Sequence, residues 1–255
     1  ILEFSSSLRL RNAVATSGLP VTKTLAKRLY QQWQKRNINM MVIHIDTINQ
    51  EVYNRLHWHP EGLAKKLRGY RNLLDAGFPT DRVLPCLTMT KPAIERIEET
   101  LAWYIGEMGV NFVEMTVFKP KGAGRNDKEL EPSKWDLKRA FEYRAKKLGN
   151  PNWLKMATTE CSSIRCQTNF YIGADGSIKR CPCLPDDFIV GNLYQETLQQ
   201  IFQDHRSQIS FNDLKIKGKC AACENNPLCR GCRASAYFYS GDLSASDPKC
   251  WLNPD

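Results

Sequence analysis

The sequence predicts an α/β fold: an open sheet of parallel strands with connecting helices, followed by a small cysteine-rich domain with a β-hairpin. Three observations carry this. Strand and helix patterns alternate through the first 120 residues. Nine of the ten cysteines fall in the last 95 residues. Among those cysteines, Gly173-Ala174-Asp175-Gly176 separates two short strand-like runs.

The first strand is Asn12–Thr16, closed by the turn Ser17-Gly18. Thr22–Lys35 has helical periodicity, with Leu25, Leu29 and Trp33 on one face. Met40–Ile45 is apolar except at His44, a run that suits a strand buried on both faces. Gly62–Ala76 forms the next helix, stopped by Gly77. Val83–Leu87 reads as a strand, although Pro85 is a residue that favours edges and bulges. Pro92–Gly109 has proline near its start and glycine at its end, the polarity of a helix. Phe112–Phe118 is a further strand, closed by Pro120 and Gly122.

Strand–helix repetition with short connections implies parallel strands joined by right-handed crossovers. Four strands leave the sheet unfinished, and the chain starts in a helical stretch, Ile1–Leu8, with no strand before it. Earlier strands are therefore expected to be missing. Beyond the sheet, Gly122–Asp127 is a polar, basic loop, and Ser133–Leu148 a helix with Ser133 as its cap. Asn169–Ile172 and Ser177–Arg180 form the hairpin, and Glu196–Asp204 a short helix. The expected division is 1–122 for the α/β part, 123–158 for a linker with a helix, and 159–255 for the cysteine-rich domain.

Composition narrows the function classes. With 255 residues and 42% hydrophobic content the chain can bury one sizeable core or two modest ones. No apolar run approaches the roughly 18 residues of a membrane span. Ile1-Leu2-Glu3-Phe4 lacks the basic start and long apolar stretch of a secretory signal, so a cytoplasmic protein is expected. The net charge of +9 is spread over several helices, as at Lys65, Lys66 and Arg68. Such faces are solvated, and nucleic acid is not the favoured partner.

Without a secretory signal, closely spaced cysteines point to metal rather than to disulfides. Two cysteines separated by two residues can turn toward one metal centre. Cys220-x2-Cys223 and Cys229-x2-Cys232 form two such pairs. Cys166 and Cys181 bracket the hairpin, Cys161 precedes it, and Cys250 closes the array. Leaving out Cys183 gives eight thiols, enough for two four-iron clusters with four thiolates each. Four-cysteine zinc sites use similar spacings and are the competing reading. Cys183 is an ordinary thiol or a spare ligand. Cys86 is expected as a small core residue of its strand.

The ordered spacing resembles the SPASM domain of radical S-adenosylmethionine (SAM) enzymes. The pattern is Cys166-x9-Gly176-x4-Cys181, then Cys220-x2-Cys223-x5-Cys229-x2-Cys232, then Cys250, with Ile172-Gly173-Ala174-Asp175-Gly176 and Val190-Gly191-Asn192-Leu193 between. The resemblance implies two auxiliary [4Fe-4S] clusters with interleaved ligands. One takes Cys161, Cys166, Cys181 and Cys232, the other Cys220, Cys223, Cys229 and Cys250. The two-residue interval Arg230-Gly231 departs from the commoner three. Together with Arg233-Ala234, Gly241-Asp242 and Asp247-Pro248-Lys249 it resembles the subset acting on haem-type tetrapyrroles and some cofactor maturases.

The first half resembles the later strands of a radical SAM core, a partial parallel (β/α) barrel. Val14–Leu19 is similar to the strand and turn before the third barrel helix, and Val42–Asp46 to the fourth strand. The resemblance implies SAM contacts at Ser17 and Asp46. Asp46 lies at the end of its strand, where parallel barrels place chemistry, or caps the next helix. His44 reads as a hydrogen-bonded strand residue, and His57-Trp58-His59 as a loop. The C-x3-C-x2-C triplet that holds the SAM-cleaving cluster is absent from this sequence. The chain is expected to be the C-terminal part of a radical SAM/SPASM enzyme and to be inactive alone. The parent would carry SAM and a third [4Fe-4S] cluster. Its substrate would be a peptide, a protein or a tetrapyrrole, and a flavodoxin or ferredoxin its reductant. The alternatives are a non-catalytic iron–sulfur electron-transfer or binding module, and a zinc-binding interaction domain.

Overall fold

A computed structural model of the chain describes residues 1–159, 169–209 and 211–252. It divides into two compact units. One comprises Ile1–Phe118 with Arg139–Asn150, the other Lys119–Lys138 with Pro151–Asp255.

The first unit begins with helix α1 (Leu2–Ser7) and carries four parallel strands in sequential order. They are β1 (Ala13–Thr16), β2 (Met40–His44), β3 (Val83–Met89) and β4 (Glu114–Val117). Helix α2 (Lys23–Gln34) follows β1, and its Thr22 cap accepts the Leu25 N–H. Helices α3 (Gln50–Leu56) and α4 (Gly62–Asp75) connect β2 to β3. The parallel (β/α) arrangement and the hairpin domain expected from the sequence are both present.

Three expectations need correction, one of them the core position expected for Cys86. β2 is not buried on both faces: Met41 and Ile43 are buried, but Val42 and His44 are only half-buried on the other face. The stretch 92–109 is not one helix. It breaks at Arg96 (φ −122°), restarts as Ile97–Ala102, and widens to a π-helical turn over Trp103–Glu107. Pro85 lies inside β3 opposite Ile43, between β2 and β4, so this proline sits in a central strand.

Burial alternates along the strands, so the open sheet has one sealed and one accessible face. Met41, Ile43, Val83 and Leu87 join Leu63, Tyr70 and Leu73 of α4 in the core. The accessible face carries His44, Cys86 and Glu114, in register across β2, β3 and β4. Cys86 is thus not a core residue; its thiol lies 3.9 Å from the Thr116 hydroxyl. α4 meets the turn after β1 backbone to backbone. Gly18 has φ +83°, and a Cβ on Gly69 would collide with the Gly18 carbonyl.

The second unit holds an antiparallel sheet of β5 (Tyr171–Ile172), β6 (Ser177–Lys179) and β7 (Ile189–Asn192). The hairpin turns at Gly176, φ +77°. A short helix, Leu198–Asp204, starts with a capping box between Thr197 and Gln200. Two small apolar clusters stabilise this unit: Ile178 with Ile201 and Ile209, and Leu184 with Phe211 and Ala234. Among the described residues no helix is long and apolar enough to cross a membrane.

The Gly18–Gly69 approach leaves no room for a methyl group. Gly69→Ala should lower the stability of the first unit by about 1–3 kcal/mol, the usual cost of overpacking. Urea unfolding followed by circular dichroism measures it, and an unchanged midpoint would count against this contact.

Candidate functional site

At the C-terminal end of β2 a buried carboxylate lies among one backbone N–H and two imidazoles. Asp46 is 6% exposed. Its Oδ1 accepts the Thr88 N–H at 2.6 Å and faces His44 Nε2 at 2.9 Å; Oδ2 lies 3.5 Å from His57 Nε2. His44 Nε2 is also 3.0 Å from the Thr88 hydroxyl. The His57 ring packs on Tyr53, with centroids 4.4 Å apart. Burial opposes ionisation of Asp46, but the hydrogen bonding and charge of the imidazoles and the Thr88 N–H outweigh it and hold the carboxyl well below the usual range.

Asp46 does not cap the next helix, because Asn49 does so through its side chain. Asp46 is buried and its Oδ1 is engaged, so the group of this cluster that reaches solvent most is His44, whose side chain is 41% exposed. Ser17 lies half-buried in the turn after β1, at the same end of the parallel sheet. His57 reads as part of a loop, and its approach to Asp46 is not visible in the sequence. A histidine eleven residues after an Asp carries no local signal, and only the return of α3 brings it back.

The tail builds its site from loops. Cys220, Cys223, Cys229 and Cys250 line one cavity, with Thr159 and Asp247. Short local bonds set their positions. The Thr159 hydroxyl is 2.7 Å from Cys229 Sγ, and the Asp247 N–H donates to Cys220 Sγ at 3.4 Å. Arg230 and Gly231 both take left-handed backbone, φ +54° and +65°. That conformation is strained at an arginine and turns the chain within the short Cys229–Cys232 interval. Burial pushes the Cys250 thiol up to about 12 and raises that of Cys229 as well. Metal uptake here would therefore have to displace protons.

Of the other proposed set, Cys161 and Cys166 lie outside the described residues. Cys181 and Cys232 pack on the same apolar cluster of Leu184, Phe211 and Ala234. Cys183 joins them, and its N–H donates to Cys181 Sγ at 3.4 Å. Its hydrogen bond with Cys181 holds the Cys183 thiol down to about 5 against burial, with Lys119 and Lys121 adding to the effect. Burial works against the Lys119 ammonium, yet the charges of Cys232, Cys183, Cys181 and Asp247 raise its pKa. Among the described residues no three Cys, His, Asp or Glu side chains already close on one metal-sized point. The donor chemistry fits iron–sulfur ligation: four thiols on one cavity wall and no competing histidine.

The parallel sheet has the fold of a partial radical SAM-type barrel, and the cysteine set that follows it is of the SPASM iron–sulfur kind. Residues 161–233 match the family model of SPASM, an iron–sulfur cluster-binding domain. Among curated proteins the chain is similar to two relatives named as AdoMet-dependent heme synthases. It is 25% identical over 282 aligned positions to an AdoMet-dependent heme synthase of Methanosarcina barkeri, covering 100% of this chain and 78% of the relative. An AdoMet-dependent heme synthase of Nitratidesulfovibrio vulgaris is 34% identical over 86 residues, or 33% of this chain and 23% of that protein. Two solved structures share the fold. Native anSMEcpe with bound AdoMet superposes with a TM-score of 0.71 at 17% identity, over 98% of this chain and 76% of that one. Streptococcus suis SuiB bound to S-adenosylmethionine gives 0.68 at 15%, over 98% and 62%.

The depressed pKa of Asp46 makes a pH prediction. Its stabilisation is fully present above the unfolded value near 4 and is lost as pH falls toward the folded value. Asp46→Asn should cost about 3 kcal/mol near neutral pH, since it leaves two imidazoles without their carboxylate. The gap between wild type and variant should narrow below about pH 4. Denaturant unfolding at pH 7 and pH 3.5 tests this, and a constant gap would sink it.

Proposed function

We propose that this chain is the C-terminal part of a radical SAM/SPASM enzyme whose substrate is a tetrapyrrole precursor of haem. Residues 1–122 would be the barrel portion, 123–158 the connection and 159–255 the cluster-binding tail. The observation that carries this is the single cavity lined by Cys220, Cys223, Cys229 and Cys250. Similarity to a heme synthase over the whole of this chain and 78% of that relative supports the substrate class. Peptide substrates are the second reading, favoured by the likeness in fold to anSMEcpe, whose structure with AdoMet and the Cp18Cys peptide is known.

On this reading Cys220, Cys223, Cys229 and Cys250 hold one auxiliary [4Fe-4S] cluster, and Cys161, Cys166, Cys181 and Cys232 the other. When bound, such clusters supply one-electron transfer to or from a substrate. The chain's own residues do the rest. Thr159 and the Asp247 N–H orient Cys229 and Cys220, and the left-handed turn at Arg230-Gly231 allows Cys229 and Cys232 to serve different sets. Cys183 backs Cys181 without being a required ligand. In the barrel portion, Asp46 keeps His44 oriented on the accessible sheet face, where the imidazole can hold or release a proton. Ser17 and His44 are the groups there to meet SAM or substrate. The sequence has no C-x3-C-x2-C triplet to hold the third cluster, so this chain does not fit that group and should not cleave SAM by itself.

Anaerobic reconstitution tests the ligand sets. About eight irons and matching sulfide per chain are expected, and stoichiometric zinc without sulfide would overturn the reading. Cys183→Ser should keep the full iron load. Cys223→Ala should lose about half of it and expose the tail to proteolysis while residues 10–118 stay resistant; an unchanged digestion pattern would count against a cluster-dependent tail. Incubation with SAM and dithionite should yield no 5′-deoxyadenosine. Absorbance titration of the chain joined to its upstream segment, with an iron-free haem precursor and with a peptide, separates the two substrate readings.

A further inference from the structure

Arg233 directly follows Cys232 and opens the helix Arg233–Ser240. It is 2% exposed, an unusual place for a guanidinium. Nη1 donates to the carbonyls of Leu243 at 2.7 Å and Ala245 at 2.6 Å, and Nε donates to Gly231 O at 3.3 Å. Nη2 is buried and has no hydrogen-bond partner among the described residues. A buried cationic N–H without an acceptor carries the full desolvation penalty of the group, so Nη2 should have an acceptor in the working protein.

Gly231 shows where Nη2 points. A Cβ built on Gly231 would stand 2.6 Å from Arg233 Nη2, 3.0 Å from Asp247 Cβ and 3.1 Å from Cys220 Sγ. Nη2 and the Cys220 sulfur therefore flank one point, and only a residue without a side chain fits between them. The neighbouring Asp247 carboxylate is already in use. Its Oδ2 accepts the Cys232 N–H at 2.9 Å and its Oδ1 the Lys249 N–H at 3.0 Å. Cys220 lines the cavity with Cys223, Cys229 and Cys250.

We propose that Arg233 is a redox-tuning residue, directing its free Nη2–H and its charge at the sulfur side of the auxiliary cluster held by Cys220. This rests on reading Cys220, Cys223, Cys229 and Cys250 as one ligand set. Reduction adds one negative charge to a cluster. A nearby cation and an N–H donor to sulfur stabilise that added charge and raise the reduction potential. Lysine would keep the charge but lose the fork that binds Leu243 and Ala245 while leaving Nη2 free. Arg233 is a positioning residue for electrons; it is not a ligand.

The test uses the reconstituted full chain as wild type, Arg233→Lys and Arg233→Met, with iron and sulfide assayed before redox titration by electron paramagnetic resonance. With iron at wild-type level, one of two cluster potentials should shift to more negative values in Arg233→Met, by a smaller step in Arg233→Lys, and the other should stay put. Unchanged potentials at full iron load overturn the proposal. The second measurement needs no variant. Wild-type chain with 15N-guanidino arginine should show a nitrogen coupling to the reduced cluster by pulsed resonance that reverts to background in Arg233→Lys. Absence of the coupling in wild type overturns the proposal even where Arg233→Met fails to fold. A wild-type chain that takes up neither iron nor sulfide removes the ligand-set reading itself, and the inference with it.

Discussion

The two proposed ligand sets of the tail meet at one buried carboxylate, Asp247. Its backbone N–H donates to Cys220, which belongs to one set, and its side chain accepts the N–H of Cys232, which belongs to the other. The same side chain accepts the N–H of Lys249, next to Cys250. Three cysteines far apart in sequence are thus positioned around one residue. Lys249 extends the anchorage: its ammonium is 2.5 Å from Glu131 and lies over the Tyr239 ring. Much of the tail's loop geometry follows from satisfying Asp247 out of water, because regular secondary structure there is sparse and a buried polar group without partners is costly.

Asp46 and Asp247 are both buried, yet their protonation equilibria move in opposite directions. Burial opposes the charge at each. At Asp46 two imidazoles and a backbone N–H overcome it, and the carboxylate is favoured. At Asp247 burial wins over the N–H groups of Cys232 and Lys249 and the charges of Arg233 and Lys119, so its pKa is raised. The difference lies in the partners. Imidazoles touching a carboxylate share its charge directly, whereas Arg233 spends its hydrogen bonds on backbone carbonyls.

Much of this was legible in the sequence where the signal is local. Alternating strand and helix periods produced the parallel sheet, and the Gly173–Gly176 turn produced the hairpin. The cysteine spacing identified the domain type before any geometry, because a ligand set leaves its chemistry in residue identity. What could not be read depends on contacts between distant residues or on backbone conformation. β7 was seen only as Val190-Gly191-Asn192-Leu193, since a short strand with a glycine has no period to detect. The helix from Arg233 to Ser240 follows a cysteine rather than a normal cap and carries β-favouring Tyr and Phe. His57 reaches Asp46 only because α3 turns back, and Arg230 accepts a left-handed conformation that residue preference would have assigned to glycine.

The charge balance of the tail is a last argument about what completes it. In the first unit, Asp46 finds its partners within that unit: two imidazoles and the Thr88 N–H. In the second unit Arg233 is buried with one N–H unmatched among the described residues, whereas the charges of Cys181, Cys183, Cys232 and Asp247 favour the Lys119 ammonium. Burial disfavours the thiolate at Cys229 and Cys250, so in this form those two supply little counter-charge to Arg233. An anionic centre ligated by thiolates would supply that counter-charge, taking up the Arg233 N–H and converting the neutral thiols of Cys229 and Cys250 into charged ligands. Zinc held by four thiolates is also anionic, but it offers Arg233 only the ligand sulfurs. A cluster adds bridging sulfides, and these make a larger target for a buried N–H whose direction is fixed by Gly231.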